Sequence, residues 1–208
     1  LQELGHLDES EASLRQAITL KPAYAVANYN LGNTLRELGR LDEAEASYRR
    51  AIALKPDYDQ ANNNLGITLR EMGKLEEAEA IYRQAIAIKP DYAEAYNNQG
   101  GALLELNKLE EASASLQKAL SLKPDYAEGY WNRSGLAENI SEAKKWLAKC
   151  LKANPKHPDA NHNMGVLAIG IGKVEEALPF FKTAVEINPN IAQYWLSYID
   201  ALLKLDRP

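Results

Sequence analysis

The sequence predicts an all-α helical solenoid, and three observations carry that prediction. Lys-Pro recurs at Pro22, Pro56, Pro90 and Pro124, a constant step of 34 residues. Leu-Gly returns at Leu31-Gly32 and Leu65-Gly66, and Glu-Ala at Glu43-Ala44, Glu77-Ala78 and Glu111-Ala112, in the same register. Between these marks the apolar residues follow helical spacing, with two helices to each step. A helix pair of this size cannot bury its apolar stripe alone, so it must stack on its neighbours.

Residues 1–24 supply the end of one first-type helix and a complete second-type helix. Ala25 to Leu38 reads as the next first-type helix, with Ala27, Leu31, Leu35 and Leu38 on one face. Gly39-Arg40 interrupts it, the glycine standing where a helix C-terminus favours a left-handed residue. Asp42 to Leu54 reads as a second-type helix with Ala44, Tyr48, Ala51 and Ile52 inward. Acidic Asp42 and Glu43 open it and Arg49 and Arg50 lie toward its end, as the helix dipole favours. Lys55-Pro56 stops it, because the residue before a proline is pushed out of the helical region. Unit 25–58 repeats as 59–92 and 93–126, then as a shortened 127–157 and a full 158–191, and 192–208 holds an unpartnered first-type helix. No Pro/Gly/Ser-rich linker separates these units, so the prediction is one domain, 1–208, of about twelve antiparallel helices.

The fourth unit departs from the period, since Pro124 to Pro155 is 31 residues. The deletion falls in the turn, where Asn-Ile-Ser-Glu-Ala replaces a longer segment, and Arg133-Ser134 stands in place of Leu-Gly. The expected result is a first helix that loses part of its last turn before Glu138, with Ser141 capping the next helix. Pro179, about one turn into a second-type helix, is expected to kink it.

Composition narrows the function classes. The chain is 46% hydrophobic and 25% charged, with a net charge of −5, which is ordinary for a soluble folded protein. No basic stripe is evident, which argues against nucleic acid as a partner. The longest uncharged apolar stretch, Met164 to Gly172, is far short of the ~20 residues that span a bilayer. Without an initiator methionine or signal-like segment the chain reads as a fragment, and its localisation is open. Cys150 is the one cysteine, so no intrachain disulfide forms. It occupies the column of Ala51 and Ala85 and reads as a small buried residue. His157 and His162 are five apart, not the three or four that puts two ligands on one helix face, and His6 is remote. Gly100-Gly101 lies inside a helix, without the strand-turn-helix setting of a phosphate loop. The expectation is no enzyme activity in this segment, no metal and no cofactor.

Gly32, Ala44, Tyr48, Ala51 and Pro56 fall where tetratricopeptide repeats place their glycine, alanine, aromatic, alanine and proline, and the chain resembles that family over essentially its whole length. The resemblance implies a right-handed superhelix whose first-type helices line a concave groove that binds a protein or peptide. In each complete unit one groove column holds an asparagine: Asn30, Asn64, Asn98, Asn132 and Asn163, with Ser197 ending the run. Asparagine is a middling helix former, so its repetition needs a reason. An amide offers both donor and acceptor and suits the main chain of an extended peptide. The column resembles the asparagine ladder in the repeats of O-linked N-acetylglucosamine transferases, which holds a peptide main chain. Two alternatives stand beside it: copies left by recent duplication, and caps on neighbouring helices.

Neighbouring groove candidates are Tyr29, Asn33, Arg36, Asn63, Arg70, Asn97, Trp131 and His162. Trp131 is either an interface anchor or a side chain folded against the shortened turn. Acidic Glu94, Glu128 and Asp159 follow the basic positions, which predicts a ligand with a basic segment toward the C-terminal half and binding that weakens with salt. The family's chaperone-binding carboxylate clamp is not expected, because Tyr29 replaces its lysine although Asn33 matches. The leading expectation is therefore an interaction scaffold for an extended peptide. The alternatives are the substrate-recognition arm of a larger enzyme such as a glycosyltransferase, and a scaffold that self-assembles through exposed terminal half-repeats.

Overall fold

The computed structural model describes residues 2–205. Leu1 and residues 206–208, which belong to the expected flanking half-repeats, lie outside them. Among the described residues there are twelve α-helices and no strand: α1 (Gln2–Leu20), α2 (Ala25–Glu37), α3 (Leu41–Leu54), α4 (Asp59–Glu71), α5 (Leu75–Ile88), α6 (Ala93–Glu105), α7 (Leu109–Leu122), α8 (Ala127–Ser134), α9 (Ile140–Ala153), α10 (Pro158–Gly170), α11 (Val174–Ile187) and α12 (Ala192–Leu205). Each first-type helix from α2 to α10 packs most heavily on the second-type helix that follows it. Helix α1 runs unbroken from Gln2 to Leu20, where the sequence predicts the end of one first-type helix followed by a second-type helix.

The chain divides into two compact units, one ending at Leu122 and one starting at Lys123, although no linker composition marks the point. In the first unit α2, α4 and α6 are the first-type helices and α1, α3, α5 and α7 the second-type helices. Leu31, Leu35, Tyr48, Leu65, Leu69, Tyr82 and Ala102 form its largest buried cluster. The glycine column explains how such large rings are buried. A Cβ on Gly32 would stand 2.6 Å from the Tyr48 ring, and one on Gly66 2.5 Å from the Tyr82 ring. The glycines are thus required by the tyrosines opposite them.

The turns are held by local chemistry. Gly39 and Gly73 adopt φ of 73° and 74°, and Asn107 takes the same left-handed place in the third repeat at 57°. In the Lys-Pro-x-Tyr connections the lysine ammonium lies over the tyrosine ring, at 4.6 Å for Lys55–Tyr58 and 4.7 Å for Lys89–Tyr92. Tyr58 is buried and packs with Ala51, Ala61 and Tyr29.

In the second unit α8 is only eight residues long and ends at Ser134 with Gly135 as its C-cap, earlier than the sequence suggested. The cap of α9 is Asn139, not Ser141. Asn139 is extended, its Oδ1 accepts the Glu142 N–H at 3.0 Å, and Glu142 Oε2 accepts the Glu138 N–H at 3.2 Å. This reciprocal pair satisfies two backbone donors, which Ser141, already inside the first turn, cannot do. Helix α11 runs through Pro179. The proline forgoes only the bond to the Glu175 carbonyl, and no second break follows. Phe181 is buried in a cluster with Ala168, Ala177 and Ala201. On α12, Trp195, Leu196, Ile199, Leu202 and Leu203 are exposed.

Candidate functional site

The side chains that the sequence assigned to a groove lie on the first-type helices, and in both units several of them follow one rule. A side chain at position i meets the side chain 35 residues later on the next first-type helix. In the first unit Asn64 Nδ2 donates to Tyr29 Oη at 3.3 Å, and Asn98 Nδ2 donates to Asn63 Oδ1 at 3.0 Å. Arg36 pairs with Glu71 at 3.0 Å and Arg70 with Glu105 at 2.6 Å. In the second unit His162 Nε2 meets Ser197 Oγ at 2.9 Å, and Tyr194 Oη donates to Asp159. Ser197, which ends the asparagine column, therefore takes over the contact that asparagines make elsewhere.

Further bonds join these pairs into a chain across α2, α4 and α6. Tyr48 Oη donates to Asn33 Oδ1 at 2.7 Å, and Asn64 Nδ2 donates to the same oxygen at 2.9 Å. Asn63 Nδ2 donates to Asn64 Oδ1 at 3.3 Å, and Asn97 Nδ2 to Asn98 Oδ1 at 3.4 Å. The amides of Asn64 and Asn98 are thus engaged across neighbouring helices before any ligand arrives. Asn30, at the start of the column, is exposed. The ion pairs neutralise Arg36 and Arg70, so this face in the first unit is polar and largely charge-balanced, not basic.

In the second unit the column continues as buried Asn132 and half-buried Asn163. Trp131 is half-buried. It packs on the cluster of Leu147, Cys150, Ala160 and Met164, with its ring centroid 5.7 Å from that of His157. His157 is buried and caps α10: its Nδ1 accepts the Ala160 N–H at 3.2 Å. Its Nε2 stands 3.1 Å from Glu128 Oε1, and the bond to His157 holds the Glu128 carboxyl below the usual carboxylate range. His162 sits between the Phe181 and Tyr194 rings, at 5.7 and 5.0 Å, and burial pushes its pKa down. Burial pushes the Cys150 thiol up to about 12, so it is held protonated at neutral pH. Among the described residues no His, Cys, Asp and Glu group has the arrangement of a metal site, and no helix is long and apolar enough to cross a membrane.

One column escaped the sequence reading. Asn28, Asn62 and Asn161 are buried and donate to the carbonyls of Tyr24, Tyr58 and His157 four residues earlier, at 3.0, 2.9 and 2.9 Å. In the same column Tyr130 Oη donates to Pro124 O at 2.7 Å and Trp195 Nε1 to Pro189 O at 2.8 Å. Its common task is to pin the incoming turn. The change of residue type from asparagine to tyrosine and tryptophan hid it.

Comparison with known proteins agrees with this architecture. Family profiles described as the tetratricopeptide repeat match residues 1–24, 24–91, 57–125 and 136–207. No curated protein matches the chain in sequence. Among solved structures, a thermophilic repeat protein of Thermus thermophilus is 24% identical, with 86% of this chain and 100% of that one aligned at a TM-score of 0.75. A repeat protein of Parabacteroides merdae is 21% identical over 97% of this chain and 81% of that one, with a TM-score of 0.77. YrrB, described as a repeat protein with an unusual peptide-binding site, is 24% identical over 88% and 96%, with a TM-score of 0.60. None of the matched profiles is that of a catalytic family.

Proposed function

The chain belongs to the tetratricopeptide repeat family, and from that premise we propose that it is an interaction scaffold whose first-type helices hold an extended peptide by its main chain. The observation that carries this reading is the continuous amide chain across α2, α4 and α6. Tyr29, Asn33, Asn63, Asn64, Asn97 and Asn98 are fixed by one another at distances from 2.9 to 3.4 Å. Each amide carries two N–H donors and a two-lone-pair oxygen, so bonding within the chain leaves capacity for a ligand. Amides already locked in one rotamer give up little entropy when a peptide docks. The column therefore has two tasks, tying successive helices together and offering a ready-made polar track. In the second unit Glu128 and Asp159 flank the column, and the proposed preference for a basic ligand segment belongs there.

The two tasks separate experimentally. Peptides selected from a random library against the intact chain are expected to bind Asn30→Ala and Asn98→Ala more weakly. Each loss corresponds to roughly 0.5–1.5 kcal/mol of binding per hydrogen bond. Asn98→Ala should also lower the melting temperature, because Asn63 loses its donor, whereas Asn30→Ala should not. Unchanged affinity in both variants, or amide-exchange protection on α3 and α5 in place of α2, α4 and α6, would remove the groove reading.

A further inference from the structure

The net charge of −5 conceals a reversal of sign within one element. Helices α3, α5, α7 and α11 carry balances of −1, −2, −1 and −2, whereas α9 sets Lys144, Lys145, Lys149 and Lys152 against Glu142 alone, a balance of +3. In the first unit several basic residues of the second-type layer are held in ion pairs between successive helices, Arg15 with Glu43 at 3.1 Å and Arg49 with Glu77 at 3.2 Å, and Lys74 at the start of α5 pairs with Glu45 at 2.8 Å. Lys145, Lys149 and Lys152, spaced to share one face of α9, are exposed, and none is paired with a carboxylate among the described residues.

A second feature coincides with this stripe. Trp146 stands in the column of Ser47, Ile81 and Ser115, and Tyr130 in the column of Asn28 and Asn62. Their rings stack with centroids 6.1 Å apart and planes at 21°. Lys149 lies over both, 4.4 Å from the Trp146 centroid and 5.5 Å from that of Tyr130, with Arg133 5.5 Å from Trp146. Beside the stack is an open depression of about 340 Å³ lined by Pro124, Asp125, Tyr130, Lys149, Lys152 and Ala153. Its floor is apolar and two of the stripe's three lysines stand on its rim.

We infer that the outer face of α9 is a docking site for an acidic peptide segment of a partner protein, with carboxylates on Lys145, Lys149 and Lys152 and an apolar side chain in the depression beside Tyr130. This site lies on a different helix layer from the proposed groove and does not depend on it. An acidic polypeptide fits better than a nucleic acid. The stripe spans about 10 Å of helix, at ~1.5 Å per residue, and is bordered by Asp125 and Glu142, whereas phosphate-backbone binding uses an extended basic surface. Lysines act here as separate point charges, and the apolar floor suits a side chain between acidic residues.

The probe is a short fluorescein-labelled peptide of glutamates around a central leucine, followed by anisotropy with the intact chain. Binding is expected at low salt and should weaken as salt is raised. The triple variant Lys145→Glu/Lys149→Glu/Lys152→Glu should lose about tenfold or more in affinity. Lys118→Glu on α7 should leave it unchanged. Helix content measured on the triple variant checks that it folds, and the exposed positions predict that it does. Equal affinity in the triple variant, equal binding of a glycine-for-leucine peptide, or a single-stranded oligonucleotide that competes as well as the peptide would each overturn the proposal. So would a concentration-dependent dimer that the triple variant abolishes, since the face would then serve a second copy of the chain.

Discussion

Tyr48 and Tyr82 occupy one column, both rings are fully buried, and both are accommodated by a glycine opposite, yet their hydroxyls differ. Tyr48 Oη donates to Asn33, whereas Tyr82 Oη has no partner among the described residues. The difference lies in one residue of the neighbouring helix, because repeat 59–92 places Ile67 where repeat 25–58 has Asn33. Net stabilisation by a buried hydrogen bond is modest, but a buried hydroxyl without a partner costs its full desolvation. Tyr48→Phe should therefore lower unfolding stability by roughly 0.5–1.5 kcal/mol, while Tyr82→Phe should be neutral or stabilising. Urea unfolding of the two variants checks the asymmetry, and an equal loss in both would refute it. The same contrast shows how the residues divide between legible and hidden. The column of aromatics is visible in the sequence, but whether a hydroxyl is satisfied depends on a residue of the preceding helix.

At the scale of elements, the 34-residue period placed every complete helix from α2 to α7 to within a few residues, because proline, glycine and apolar spacing all agree there. The departures fall where those signals are missing. Arg133-Ser134 replaces the usual Leu-Gly pair and residues 135–139 make a shortened turn, and there the cap is Asn139. Asn139 followed three residues later by Glu142 is a start signal that the expectation of Ser141 passed over. Asn139→Ala should cost ~1 kcal/mol, and Ser141→Ala a few tenths at most. Thermal melts of the two single variants distinguish the caps, and a larger loss for Ser141→Ala would reverse the assignment. The candidate face divides in the same way. Reading down single columns found the asparagines but not their partners, because the bonds join different columns, position 29 to 64 and 63 to 98. The basic face of α9 was lost in a chain-wide charge that sums to the opposite sign.

For the whole molecule, the titrating groups set limits on stability from both ends of the pH range, and the sign of each follows from its environment. Burial holds His162 below its ordinary value of 6.5, so the folded chain takes up less proton there than the unfolded chain, and stability falls as pH drops below about 6.5. A second group of losses lies lower. Glu11, Glu43, Glu45, Glu128, Glu142 and Glu176 are held below 4.5, chiefly by bonds from Arg15, Arg40, Lys74, His157, Trp146 and Lys173 respectively. Their contribution is complete above about pH 4.5 and disappears as pH falls through their folded values. On the alkaline side, burial raises Tyr48 and Tyr92 from 10.0 to about 12. The unfolded chain then releases protons first, and stability declines as pH rises above about 10. The melting temperature is expected to be flat between about pH 7 and 9, to fall in two steps on the acid side, and to fall again above about pH 10. His162→Gln keeps a polar group near Ser197 but cannot titrate, so it should abolish the first acid step and leave the second in place. Melting curves of the wild type and this variant from about pH 4 to 11 check the assignment. A first step that persists in His162→Gln would mean that another group carries it and that His162 is not held neutral by the fold.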